Sequence, residues 1–440
     1  MDIDTQHSQT DKDTTAMLDR LFRLPVEVFA HIVAQLTDDD LARLFELEKL
    51  VLNRENDGAY TEVRKIALQA RFLGKRLVIT NGKFPSKHLV GANRQELLPL
   101  RVLAYFMHER LVIKPRDITF SLLDFASIET YNYVFEFTRL FLPYVTTFTD
   151  NFNFHLVASE HSARNRDTFM ALVNAFGFLN VKVKNFSLTF EGKSCACENS
   201  FNIGTDYLNQ LCIEHLKLNM FDSNWVLDHF MSYSHTSHSG CNGLNSLDLS
   251  YNAVDDEKLS LLKLPKTLRS LNLSNNNLTV VSNRNINFTE LIYLNKLDLS
   301  NNNIISIDVR SEGPSNLLSL NLSCNSITSC SFLHSRYFDN LRYLDVSRNL
   351  LTKVSSLPPR IESLSLCGNY LHSLLDNIDG FTFPITLVRL NLSWCKIRRS
   401  QDDLHINEVI SHLINTENLH NLKFIEIDTI YSPSPKECTR

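Results

Sequence analysis

Residues 244–254 read LNSLDLSYNAV, and the phrase keeps returning down the C-terminal half of the chain. It recurs at 268–278 (LRSLNLSNNNL), 294–304 (LNKLDLSNNNI), 317–327 (LLSLNLSCNSI), 341–351 (LRYLDVSRNLL), 361–371 (IESLSLCGNYL) and 387–397 (LVRLNLSWCKI). Seven copies of L-x-x-L-x-L-x-x-N-x-L mark a tandem array. Leu247 and Leu249 stand two apart, so a short strand turns both into one core while Asp248 faces out. Asn272, Asp298, Asn321, Asp345, Ser365 and Asn391 are its outward equivalents. Asn252, Asn276, Asn302, Asn325, Asn349 and Asn369 fall where the chain leaves the strand, and a buried amide there can satisfy backbone donors and acceptors. Cys395 takes that slot in the seventh copy, as a weaker hydrogen-bonding substitute.

The phrase is similar to that of leucine-rich-repeat proteins. Central leucines recur every 20 to 26 residues, too short for full helices on the return path, so extended or 3₁₀ segments are expected there. Pro265, Pro314 and Pro358-Pro359 favour the same outcome. Each repeat buries its leucines only against its neighbours, which predicts an α/β leucine-rich-repeat solenoid, a horseshoe with parallel strands on its concave face. Upstream, strand-like stretches recur every 30 to 40 residues: LVITNGKF near 77, DITFSLLDF near 117, VTTFTDNF near 145, VKVKNFSLTF near 181 and IEHLKLNMF near 213. The expected organisation is a polar tail at 1–17, a helical module at 18–70, degenerate long repeats at 71–243 and regular repeats at 244–400. A cap at 401–430 and a second tail at 431–440 complete it.

The 440 residues carry a net charge of −5, which gives no global basic footprint and disfavours nucleic acid as the main partner. No apolar run approaches the roughly 18 residues of a membrane span, so no membrane partner is expected. Nine scattered cysteines and an acidic, polar N-terminal stretch point to a reducing cytoplasmic or nuclear setting.

Residues 21–50, LFRLPVEVFAHIVAQLTDDDLARLFELEKL, carry a Pro at a helix start, Glu27 behind it, and Val28, Ile32 and Leu36 at four-residue spacing. Thr37 and Asp40 then open a second helix with Leu41, Leu44 and Leu47. Leu24-Pro25-x-Glu27-Val28, Ile32, Leu36, Asp40-Leu41 and Leu44 together resemble the F-box, the helical module that docks on the Skp-type adaptor of cullin-RING ubiquitin ligases. The resemblance implies adaptor contacts at Leu24, Pro25, Val28, Ile32, Leu36 and Leu44. It also implies a substrate-recognition subunit of a Skp-cullin-F-box ligase, which acts by proximity and needs no catalytic residue or cofactor. The competing expectation is a leucine-rich-repeat scaffold or regulatory protein with no ubiquitin role.

Catalytic and metal motifs are scarce. Gly192-Lys193-Ser194 lacks its phosphate-loop partner glycine, since Ser187 stands there. Cys195 and Cys197 follow their strand whereas Cys212, His215, His235, His238 and Cys241 precede theirs, about 17 Å away, so no shared metal site is expected. The outward positions instead offer Tyr251, Arg269, Lys296, Arg342, Tyr343, Arg348, Arg389 and Trp394 as client-binding candidates. A basic, aromatic face suits an acidic or phosphorylated client protein, unless the arginines pair with the interleaved aspartates.

Overall fold

The computed structural model describes residues 72–80, 95–97, 103–123, 128–158, 183–190, 213–219, 243–309, 315–354, 357–371, 383–395 and 419–427, with short gaps, and isolated residues including Pro25, Val28 and Ile32. Two compact units divide the chain, residues 1–123 with 128–155 and residues 124–127 with 156–440.

In the first unit, β1 (Arg76–Thr80) pairs in parallel with β2 (Gln95–Leu97) on one side and with β3 (Asp117–Leu123) on the other. Leu77 and Ile79 are fully buried, as are Ile118, Phe120 and Leu122, the alternation expected of half-buried strands. Helix α1 (Ile128–Leu140) follows, with Glu129 in its first turn and Arg139 in its last, both signs matched to the helix dipole. Its buried stripe of Thr130, Val134 and Phe137 continues at Phe141, the spacing of one helix face. Phe120 sits at the centre of an aromatic cluster, 4.8 Å from Phe137, 5.4 Å from Phe154 and 6.2 Å from Phe152 between ring centroids.

One expectation fails here. VTTFTDNF reads as a strand on its β-branched residues, but Pro143 starts a helical turn, α2 (Leu142–Val145). Thr146, Thr147 and Phe148 stay coiled by donating their N–H groups to Leu142, Tyr144 and Val145. Strand β4 (Phe152–Ala158) begins only afterwards. Proline pre-organised the turn, and tertiary burial of Val145 and Phe148 overrode local β propensity.

The second unit contains β5 (Val183–Phe190) and β6 (His215–Asn219), then the strands of the seven phrases. These are β7 (Ser246–Asp248), β8 (Ser270–Asn272), β10 (Lys296–Asp298), β12 (Ser319–Asn321), β13 (Tyr343–Asp345), β14 (Ser363–Ser365) and β15 (Arg389–Asn391). All pair in parallel and in one register, Leu247 beside Leu271, Leu297, Leu320, Leu344, Leu364 and Leu390 in turn. β16 (Phe424–Glu426) joins β15 and sets Ile425 beside Leu390. Every central leucine of the seven phrases is buried, so the repeated letters form one continuous dry row.

Return paths are short, as expected. A six-residue helix, α3 (Asp256–Leu261), is capped by Asp255, whose carboxylate accepts from the Lys258 N–H. Two 3₁₀ turns, Ser331–His334 and Arg336–Phe338, pack Phe332, Tyr337 and Phe338 edge to face. A second parallel pair joins β9 (Val280–Ser282) to β11 (Ser306–Asp308). The Asp256 carboxylate accepts from the Thr279 and Val280 N–H groups at the start of β9.

The asparagine slots form a ladder. Asn325 donates to the carbonyls of Leu299, Leu322 and Ser323 and accepts from the Ile304 N–H, all within 3.2 Å. Asn276, Asn302, Asn349 and Asn369 bridge to the preceding repeat in the same way. Cys395 supplies a donor in that slot, its Sγ 3.1 Å from the Leu366 carbonyl. Burial pushes that thiol up to about 11, so the proton it donates stays on sulfur at neutral pH.

A second polar row, which the sequence reading missed, runs one residue ahead of four of the seven phrases and of the β16 segment. Thr267, Asn316, Asn340, Thr386 and Asn421 donate to the carbonyls of Leu244, Ile292, Ser315, Ile361 and Ile385. Where both polar rows are present, they pin both ends of the short strand. Residues 401–418 of the expected cap, the tails, and Leu24, Leu36 and Leu44 lie outside the described residues.

Candidate functional site

Register lines the outward residues into rows. Ser246, Ser270, Lys296, Ser319, Tyr343, Ser363, Arg389 and Phe424 form one, and Asp248, Asn272, Asp298, Asn321, Asp345, Ser365, Asn391 and Glu426 form the next. From Asp248 to Asp345 the second row alternates acid with amide, so no two carboxylates stand side by side. The acids are also committed internally. Asp248, Asp298 and Asp345 accept from the N–H two residues on, and Asn321 and Asn391 donate to Asp298 and Glu426.

All eight client candidates are exposed, but they fall into three settings. Lys296, Tyr343 and Arg389 start their strands in the first row. Arg269 and Arg342 sit one residue earlier, Arg269 over the Tyr293 ring at 5.7 Å and Arg342 paired with Glu362 at 3.0 Å. Arg269 and Arg342 thus partner a ring and a glutamate rather than the interleaved aspartates. Tyr251, Arg348 and Trp394 are not on strands at all. Each is the residue before a ladder slot, held left-handed at φ 61°, 53° and 64°.

That slot is left-handed in every copy, and Asn275, Asn301 and Gly368 are the residues that tolerate it cheaply. Tyr251, Cys324, Arg348 and Trp394 do not, at a cost of about 1–2 kcal/mol each. Arg348→Asn is therefore expected to raise stability by about 0.5–1 kcal/mol, seen as a higher urea midpoint with an unchanged slope. An unchanged or lower midpoint would mean that side-chain contacts of Arg348 outweigh the backbone strain.

Sequence reasoning missed Phe424, whose ring lies 5.3 Å under the Arg389 guanidinium. Its signal was the alternation in LKFIEI, legible only once β16 is set against β15. Of the cysteine and histidine set, His215 starts β6, while Cys195, Cys197, Cys212, His235, His238 and Cys241 lie outside the described residues. Among the described residues no group of three His, Cys, Asp or Glu could hold a metal, and no helix is long and apolar enough to cross a membrane.

The chain matches the family description "Leucine Rich repeat" over residues 240–261 and 265–281. None of the curated protein sequences matches it. Among solved structures it is similar to an internalin (InlF) from Listeria monocytogenes, 16% identical over 72% of this chain and 81% of that one, with a TM-score of 0.39. A leucine-rich-repeat protein of Leptospira interrogans is 15% identical over 74% and 92% of the two chains, with a TM-score of 0.33. The yeast Rad7 and Elc1 complex is 15% identical over 97% and 90%, with a TM-score of 0.36. The repeated phrase, its parallel ladder and the family match together make this a leucine-rich-repeat, solenoid-like fold built on a parallel-strand sheet.

Proposed function

We propose that this chain is a non-catalytic protein-interaction scaffold, and specifically the substrate-recognition subunit of a Skp-cullin-F-box ubiquitin ligase working in the cytoplasm or nucleus. Its N-terminal helices hold the Skp-type adaptor, and the outward strand face holds a client. The observation that supports the adaptor half is Val28, a helical residue 46% exposed, with exposed Pro25 three residues before it and half-buried helical Ile32 four after. Apolar side chains at that spacing on one helix face, left in solvent, suit a groove on a partner.

The test is capture of a purified Skp-type adaptor by the full chain. Wild type is expected to form a stable complex on gel filtration, and Ile32→Arg to weaken it by at least about 30-fold, the scale of an interface hot spot. Wild-type protein that captures no adaptor would leave the scaffold reading without its ligase role.

A further inference from the structure

Two exposed cations on neighbouring strands stand together without an acid of their own. Arg269 precedes β8 and Lys296 opens β10, and the Arg269 carbonyl accepts from the N–H groups of Asn295 at 2.8 Å and Lys296 at 3.0 Å, so both side chains spring from one spot on the strand face. Elsewhere in this unit Lys217 is paired with Asp248, Lys258 with Asp255 and Arg342 with Glu362. Arg269 lies over the Tyr293 ring, and neither its guanidinium nor the Lys296 ammonium makes a hydrogen bond or ion pair among the described residues. The carboxylates around them are already engaged. Asp298, two residues beyond Lys296 on the same face, accepts from the Ser300 N–H and hydroxyl and from the Asn321 amide, and Glu290 holds Lys266 at 3.2 Å. Setting Asp298 against the two cations leaves one positive charge unmatched.

Apolar surface adjoins this charge. Ile292, Tyr293 and Leu318 are all exposed, and they stand on two repeats tied edge to edge, where the Asn316 amide donates to the Ile292 carbonyl at 2.6 Å and the Leu318 N–H to the Asn295 carbonyl at 2.8 Å. Leu318 immediately precedes β12, one strand on from Lys296 and two on from Arg269. Strand spacing therefore places it about 7 Å from the midpoint between the cations. A ring, an arginine and two aliphatic side chains left together in solvent are the residue types that anchor a protein partner.

We infer that this patch docks an extended client segment bearing one carboxylate side chain and, two residues away, one large apolar side chain. This names the client chemistry and rests on the strand face being the client surface. Residues two apart in an extended chain share a side and lie about 7 Å apart, so a carboxylate set between Arg269 and Lys296 carries its apolar neighbour over Leu318. Arg269 can grip that carboxylate by the forked N–H edge of its guanidinium while the face stays on Tyr293, and Lys296 adds a second donor. A phosphate dianion fits less well. Its second charge finds no further cation here and would face Asp298.

The experiment uses the full chain and fluorescein-labelled ten-residue peptides read by anisotropy. A peptide with a central Glu-x-Leu is expected to bind at least tenfold more tightly than its Gln-x-Leu and Glu-x-Ser counterparts. Arg269→Glu is expected to weaken it at least tenfold and to gain affinity for the matching Lys-x-Leu peptide. Leu318→Ser is expected to weaken the Glu-x-Leu peptide about fivefold and to leave the Glu-x-Ser peptide unchanged. Arg389→Gln, which removes another ring-stacked arginine several strands further along the sheet, is expected to leave binding within twofold. Equal binding of the Gln or Ser peptides, tighter binding of a phosphoserine-x-Leu peptide, indifference to the Arg269→Glu swap, or a loss at Arg389→Gln as large as at Arg269→Glu would overturn the inference. Both Arg269 and Leu318 are exposed, and circular dichroism checks that their variants fold as wild type does. Adaptor capture is scored separately, so loss of the ligase reading and loss of this patch are distinguishable.

Discussion

Asn325→Ala is expected to be among the most damaging single substitutions in the array. The amide it removes satisfies the Leu299 and Leu322 carbonyls and the Ile304 N–H, all in buried surroundings. Each buried group left without a partner costs about 1–3 kcal/mol, so the sum is about 3–5 kcal/mol once local relaxation is allowed. Urea unfolding followed by circular dichroism would show it as a large fall in midpoint. Asn325→Asp should do no better, because a carboxylate has no donor for the two carbonyls and carries charge into a dry site. Asn325→Cys should lie between wild type and Ala, since Cys395 already shows a thiol serving the donor half of the slot. A fall of under 1 kcal/mol for the Ala variant would mean that water reaches the slot and replaces the amide.

The second large effect is expected in the first unit, at Phe120. Only 1% of its surface is exposed, and its ring meets Phe137 edge to face while stacking with Phe152 and Phe154. Phe120→Ala removes the shared partner of three aromatic rings, a change that costs about 3–5 kcal/mol in well-packed cores. Phe120→Leu should recover more than half of that. Equal losses for Ala and Leu would point to a requirement for ring geometry beyond volume.

How much of this could be read from letters alone depends on what each position does. The core leucines and ladder asparagines repeat because every strand needs the same burial and the same backbone partners, so period and role are legible together. The rim ladder escaped notice because Thr267, Asn316, Asn340, Thr386 and Asn421 stand just outside the repeated phrase, and two residue types share one job. The left-handed slot was invisible for a different reason. Tyr251, Arg348 and Trp394 are poor choices for that backbone, so no propensity rule would place them there, and only the ladder geometry imposes it. VTTF misled because a four-residue run of β-branched and aromatic residues does not distinguish strand from helical turn, and Pro143 was the deciding letter.

The binding face was legible residue by residue but not as a shape. Exposed Arg389 and Trp394 could be picked out from the phrase, yet their relation to Tyr343 and Arg348 is fixed only by the register that sets β14 between β13 and β15.

The acid–amide alternation across the strands also gives the array a parity. Excising the one repeat that contributes Asn272 would bring Asp248 abreast of Asp298, whereas excising that repeat and the next would bring Asp248 beside Asn321, the kind of neighbour it has now. Between Asp248 and Asp345 an even number of repeats gained or lost thus keeps the alternation, whereas an odd number sets two carboxylates side by side.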